Sequence, residues 1–371
     1  MENPLKRIVI LSIASYIGMI FGTFYHICLT YGLFDYNFSS LFILFQSFMF
    51  ISIIFLIMIV SLYIFLPLFK KLYYFFFLLM TLYIFMFLFS LIYLFLNIFY
   101  SFSITFNCII YHIIPIALLM EGIYYEQDLD FEPIEINNCN FNGKIKIAHL
   151  SDMHLGAVYG KEFVQKIVDL IKSENNIDFI CITGDMIDGN IRLTSEMLEP
   201  FSQLSIPIYY VTGNHEDYTF KAEAMEIIEN SNLIHLENKA ITFNNKVNII
   251  GIDYYRKFSI INSNLKQLIP KNNELPNIFI HHVPILDLDE LEKYNIFLML
   301  CGHTHSGQCF PFGLLIKKCL KTNMILNGLY SNMNNRYIYC VSGCGTSGWP
   351  VRSYFSKPRI GLITLNGNKL Y

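Results

Sequence analysis

Apolar residues run almost unbroken through the first third of the chain, in four stretches at 8–33, 39–69, 73–99 and 103–123. Each is long enough for the roughly 20 helical residues that cross about 30 Å of hydrocarbon. Lipid offers backbone groups no partner, so a spanning segment must bond within itself, and these stretches are predicted as helices despite their Phe, Ile and Tyr content. The first is too long for a signal-peptide core and lacks a small-residue cleavage site. From Lys144 the pattern changes. Residues 144–150 alternate as a half-buried strand does, and 163–172 place Val164, Ile167, Val168 and Ile171 at helical spacing. Short apolar runs at 177–183, 206–212, 277–281, 296–300 and 337–342 each end in a polar cluster. Strands alternating with helices predict a layered α/β domain over 144–371, with its chemistry in the loops beyond the strand ends. The short polar stretch 124–143 is expected to connect the two parts.

Charge sharpens that division. The 371 residues are 54% hydrophobic and 15% charged, with a net charge of −3. Before residue 121 the charged residues are Glu2, Lys6, Arg7, Asp35, Lys70 and Lys71. A wholly soluble protein and a pure membrane bundle are both excluded, and without a basic excess no nucleic-acid partner is expected. Lys6 and Arg7 precede the first stretch, and Lys70 and Lys71 separate the second from the third. With four spans, both cationic segments and the C-terminal domain lie on the cytoplasmic side of a multi-pass membrane protein; three or five spans reverse the domain's side. His26 and His112 are too sparse for an ion path, so the bundle is read as an anchor in the lipid bilayer. Nine cysteines, at 28, 108, 139, 181, 301, 309, 319, 340 and 344, have neither disulfide-framework nor zinc spacing.

The polar clusters carry the candidate chemistry. Asp152 and His154 follow the first strand, and Asp185 follows the second with Asp188 three residues on. Asn214, His215 and Glu216 follow the third; His281 and His282, then His303 and His305, follow later ones. Six of the ten histidines fall in these loops. Imidazole, carboxylate and amide oxygen together suit Mn, Fe or Zn, and the donors are numerous enough for two ions. Singly the elements are weak, since Asp and Gly-Asp are ordinary turn chemistry. Five in succession, each at a strand end, point to a metal centre.

The blocks DMH, GDMID, GNHE, HHVP and GHTHSGQ resemble the five blocks of the calcineurin-like metallophosphoesterases, over roughly 144–371. GHTHSGQ and the later VSGCGTSGWPVRS are similar to the membrane-associated YkuE-like branch, with Ser306 where Gly is usual. The resemblance implies a four-layer αββα sandwich behind the transmembrane helical bundle of residues 1–123. It also implies a binuclear centre, with Asp152, His154, Asp185 and His305 on one ion. Asp185 would bridge to a second ion, held also by Asn214, His282 and His303. His282 is selected over His281 because the family's ligand stands two residues before a Pro. His215 corresponds to the catalytic His beside the phosphate, and Arg352 to a late Arg expected to contact a phosphate oxygen. Asp188 and Glu216 are expected to support the ligands or their turns. The implied activity is hydrolysis of a phosphoester or pyrophosphate bond by metal-activated hydroxide. A membrane anchor favours a lipid or lipid-linked substrate. The alternatives are a phosphodiesterase for a soluble nucleotide and a non-catalytic membrane sensor of metal or phosphate.

Overall fold

A computed structural model describes residues 114–367 except 140, 190, 219, 256, 270–274 and 310–324, together with scattered positions between 74 and 113. The expected spans at 8–33 and 39–69 lie outside the described residues, and those at 73–99 and 103–123 lie only partly within them. Among the described residues no helix is long and apolar enough to cross a membrane. The chain divides into two compact units, Met1–Glu121 and Gly122–Tyr371. The second is built as follows.

Helix α1 (Ile114–Glu126), whose last turns belong to this unit, leads to β1 (Asp130–Cys139) and β2 (Lys144–Leu150). Then come α2 (Lys161–Ser173), β3 (Phe179–Thr183), the single-turn α3 (Ser195–Leu198), β4 (Ile208–Val211), α4 (Lys221–Glu229) and β5 (Leu233–His235). The second half runs β6 (Lys239–Phe243), β7 (Val247–Gly251), α5 (Phe258–Leu268), β8 (Asn277–Ile280), α6 (Leu288–Lys293) and β9 (Leu298–Cys301). It ends with β10 (Gly328–Ser331), β11 (Tyr337–Cys340) and β12 (Arg359–Gly367). Among the described residues the strands form two six-stranded mixed sheets, ordered β1-β12-β2-β3-β4-β5 and β10-β11-β9-β8-β7-β6. Strands β2 to β5 are parallel, and so are β7, β8, β9 and β11. The carboxyl ends of the central strands of each sheet therefore share one edge, where chain reversals collect polar loops.

Period-two alternation sorts these strands into layers. Ile145, Ile147, Phe179, Cys181 and Val211 of the first sheet share one buried cluster with Ile249, Ile278, Ile280, Leu298 and Leu300 of the second. On its other face the first sheet packs Leu150, Ile180, Ile182 and Tyr210 against Val164, Ile167, Val168 and Ile171 of α2. The second packs Ile250, Phe279 and Met299 against Ile261 and Leu265 of α5 and Leu291 of α6. The result is helix, sheet, sheet, helix. Burial of each α2 stripe residue contributes on the order of 1.5–3 kcal/mol, which explains why an otherwise polar helix docks firmly. Helix α6 starts at a reciprocal cap: Asp287 accepts from the Glu290 N–H at 2.9 Å, and Glu290 accepts from the Asp287 N–H at 3.2 Å.

The 124–143 stretch is more than a connector. Its residues 130–139 form β1, paired in parallel with β12. Ile136 and Cys139 are both buried against the inter-sheet cluster because the pairing register shifts between them, and the polar residues between dilute the pattern that would mark a strand. On β2, His149 is wholly buried, 2.9 Å from the Thr183 hydroxyl and edge-on to Tyr339. Burial drives its pKa down to about 3, against a weaker opposing pull from Asp152. The unfolded chain takes up this proton near 6.5, so the stability that neutral His149 contributes is lost as pH falls from about 6.5 toward 3. His149→Gln is expected to flatten the decline in melting temperature between pH 6.5 and 4; a slope equal to the parent's would refute the assignment.

Candidate metal centre

The loops after β2, β3 and β4 deliver Asp152, His154, Asp185, Asn214 and His215, and those after β8 and β9 deliver His282, His303 and His305. Backbone bonds fix them to one another: Asp152 N–H to Gly184 O at 3.0 Å, His154 N–H to Asp185 O at 3.0 Å, and Gly302 N–H to His282 O at 2.9 Å. The two sheets meet closely here. A Cβ on Gly302 would collide with the Ser151 hydroxyl and the Asp152 carboxylate, and one on Gly213 would collide with Asp185. Asp152, His154, Asp185, His303 and His305 all have φ between 48° and 71°. That left-handed region disfavours a side-chain-bearing residue by about 1 kcal/mol or more, and its recurrence here marks loops bent to aim their side chains.

Two clusters result. In the first, His154 Nε2 lies 3.0 Å from His305 Nε2, which lies 3.3 Å from Asp152 Oδ1. In the second, His282 Nε2 lies 3.1 Å from each of Asp185 Oδ2, Asn214 Oδ1 and His303 Nδ1. Asp185 Oδ2 is also 3.9 Å from His154 Nε2, so one carboxylate borders both clusters. Asp152, His154 and His305 offer donor atoms within 4.8 Å of one another, and so do Asp185, His282 and His303; His154, Asp188 and His215 form a third such group that overlaps the first. Lone pairs converging this closely repel unless a proton or cation lies among them, so the donor set fits divalent metal. His215 stands beside both clusters, its Nε2 4.0 Å from Asp185 Oδ2 and its ring 4.5 Å from that of His154. Asp188 adjoins both rings: its Oδ1 is 3.3 Å from His154 Nδ1, and its carbonyl oxygen is 3.0 Å from His215 Nδ1.

Burial opposes charge on every one of these groups, and neighbours decide the outcome. At His282 the nearby Asp185 overcomes burial and raises the pKa to about 10. At His303 burial, reinforced by His282, lowers it to about 4; at His305 burial does the same against the pull of Asp152. Despite burial, His305 holds Asp152 and His282 holds Asp185 well below the usual carboxylate range.

Supporting residues explain why the loops hold this shape. Glu216 is fully buried and accepts from the N–H groups of Gly213 (2.6 Å), Met186 (2.7 Å), Asp185 (3.1 Å) and Ile187 (3.2 Å), tying the loop after β3 to the loop after β4. Burial and the adjacent Asp185 push its carboxyl up to about 7. His281 turns away from the clusters, its Nδ1 2.9 Å from Ile252 O and its ring stacked on Phe279, as alternation along an extended chain requires. Arg352, expected to contact a phosphate oxygen, lies beneath the His305 loop. It is fully buried, and its guanidinium donates to the carbonyls of His305 (2.9 Å), Ser342 (2.9 Å), Ser356 (3.1 Å) and Gly345. A buried guanidinium needs acceptors for its several N–H groups; backbone carbonyls supply most of them, and His305 Nδ1 lies 3.1 Å from one terminal nitrogen. Arg352 thus ties the loop after β11 to the His305 loop.

Three neighbours of the clusters were not singled out in the sequence. Asn214 Nδ2 donates to Tyr218 Oη at 3.0 Å. Gln308 Nε2 donates to the carbonyl of Trp349 at 2.5 Å and its Oε1 accepts from the Ser347 N–H at 3.1 Å, which leaves Ser347 Oγ 3.5 Å from His215 Nε2. Gln308 could have been found as the last residue of GHTHSGQ; the available sign of Tyr218 was its i+4 spacing from Asn214.

A family profile described as Calcineurin-like phosphoesterase matches residues 145–307. The chain is 34% identical over 214 residues to an uncharacterized metallophosphoesterase of Helicobacter pylori, covering 56% of each protein. It is 30% identical over 234 residues to an uncharacterized metallophosphoesterase of Aquifex aeolicus, covering 60% of this chain and 86% of the relative. A Danio rerio protein named "Transmembrane protein with metallophosphoesterase domain" is 29% identical over 235 residues, covering 59% of this chain and 53% of its own length. The chain spans about half the length of the Helicobacter and Danio relatives it matches.

Glu216→Ala would leave four buried N–H groups without an acceptor. At about 1 kcal/mol or more each, the full-length chain is expected to lose roughly 4 kcal/mol or more of unfolding free energy. A urea midpoint equal to the parent's would show that Glu216 does not hold the loops.

Proposed function

The chain belongs to the calcineurin-like metallophosphoesterase family, and on that premise we propose that it is a metal-dependent phosphoester hydrolase with a binuclear centre. The observation that carries this reading is the pair of Asp/His clusters bordered by one shared carboxylate, Asp185. Asp152, His154, Asp185 and His305 would hold one ion; Asp185, Asn214, His282 and His303 would hold the other. Mn, Fe and Zn suit such mixed nitrogen and oxygen donors. Ions bound there supply Lewis acidity and lower the pKa of a coordinated water, the chemistry that phosphoester hydrolysis at neutral pH requires.

The protein's own groups do the rest. Asp185 is kept ionised, and its other oxygen, Oδ1, accepts the His215 N–H at 2.8 Å, so it is oriented as well as charged. His215 is held with Nδ1 facing the Asp188 carbonyl oxygen, which places the Nδ1 proton there and turns Nε2 toward the clusters. From that position Nε2, when protonated, hydrogen-bonds a phosphoryl oxygen and gives the departing alkoxide its proton. Burial, assisted by His154, keeps the pKa of this imidazole below its ordinary value, which makes its protonated form a stronger acid toward the leaving oxygen.

Membrane attachment and the substrate class extend the same proposal. The four apolar stretches of residues 8–123 support a multi-pass anchor with the catalytic domain on the cytoplasmic side, and the name of the Danio relative agrees with attachment. An enzyme tethered at a bilayer meets lipid or lipid-linked phosphoesters at high local concentration, so these are the proposed substrates.

Full-length protein in vesicles, supplied with Mn, is expected to hydrolyse an aryl phosphodiester, and a chelator should abolish that activity until Mn is restored. His215→Ala should lower kcat by about 10²–10⁴ for a substrate with a poor leaving group while metal content stays at the parent level. Undiminished turnover by that variant would remove the acid role. A phosphomonoester borne on a lipid should be cleaved with higher kcat/KM than a cyclic nucleotide; the reverse order would sink the lipid assignment.

A further inference from the structure

An asparagine that ligates through oxygen carries an ambiguity a carboxylate lacks: rotated by 180°, its amide presents N–H protons to the ion instead of a lone pair. Something must decide which end faces inward. At Asn214 the oxygen lies 3.1 Å from His282 Nε2, and the amide nitrogen donates to Tyr218 Oη at 3.0 Å. The pairing is built by the local backbone. Asp217 N–H bonds Asn214 O at 3.2 Å and Tyr218 N–H bonds His215 O at 3.1 Å, a tight turn that sets residues 214 and 218 side by side. The same tyrosine ring lies 4.5 Å from the His215 ring at 45°, with 38% of the residue exposed at the rim.

We propose that Tyr218 is a positioning residue of the centre: its hydroxyl accepts the Asn214 amide proton and so keeps the Asn214 oxygen directed at the ion-binding cluster of Asp185, His282 and His303. The inference rests on the reading of Asn214 as a ligand. A phenol oxygen suits the task because it accepts one N–H without adding negative charge beside the carboxylates. Loss of this acceptor frees the amide to rotate, and the affected ion is the one Asn214 serves. The cluster of Asp152, His154 and His305 does not involve Asn214 and should keep its ion.

The test is calorimetric titration of Mn into metal-stripped, full-length protein, parent and variants, in the same detergent. The parent should bind two equivalents. Tyr218→Phe keeps the ring and removes the hydroxyl, and should weaken one of the two binding events about tenfold or more, in line with other groups that orient ligands. The unchanged event reports that the variant is folded. Asn214→Asp presents an oxygen in either rotamer, so adding Tyr218→Phe in that background should shift affinity less than about threefold. An equal loss in both backgrounds would show that Tyr218 acts by packing alone, and no loss in the Asn214 background would dismiss its hydroxyl. Either result overturns this inference and leaves the binuclear reading standing. A parent that binds fewer than two ions overturns both.

Discussion

Two carboxylates, Asp152 and Asp185, are buried within a few residues of one another in space, 0% and 2% exposed, and the rest of the domain answers to that constraint. An ionised carboxylate withdrawn from water is destabilised by several kcal/mol unless positive or donating groups surround it. Main-chain donors meet part of the need: His303 N–H reaches Asp152 Oδ2 at 2.9 Å, and His215 N–H reaches Asp185 Oδ1 at 2.8 Å. Imidazoles meet the remainder, and they come largely from the other sheet. The two sheets must therefore present their carboxyl edges in register. Ile145, Ile147, Ile278 and Leu298, in the cluster between them, provide the rigid packing that keeps that edge aligned.

The same logic governs the buried groups around the centre. Glu216 and Arg352 do not pair with each other; each is bonded mainly to backbone groups of two loops. A side chain that bonds backbone fixes loop shape directly, whatever the neighbouring side chains are. Glu216 thereby joins the loops after β3 and β4, and Arg352 those after β9 and β11.

Much of this was legible in the sequence because strand ends in an α/β sandwich concentrate function, and chemistry-bearing residues in GNHE and GHTH sit where apolar runs stop. Alternation predicted β2, and helical spacing predicted the buried stripe of α2. What escaped had physical causes. Strand β1 is an edge strand whose pattern is half polar, so it read as a connector. Arg352 was assigned a phosphate contact from its match to the family's late Arg; its burial depends on carbonyls that only the folded loops bring together. Tyr218 left little trace, since a single i+4 contact has no periodicity to reveal it.

The left-handed backbone at Asp152, His154, Asp185, His303 and His305 has a bearing on the protein's economy in the cell. At about 1 kcal/mol or more apiece, these five conformations sum to roughly the lower bound of a domain's net stability. On the binuclear reading, divalent ions bind the bent loops and not the extended chain, so they offset that strain by mass action. Folding and ion supply then become one equilibrium. Ion supply then sets how stable the domain is as well as whether it turns over.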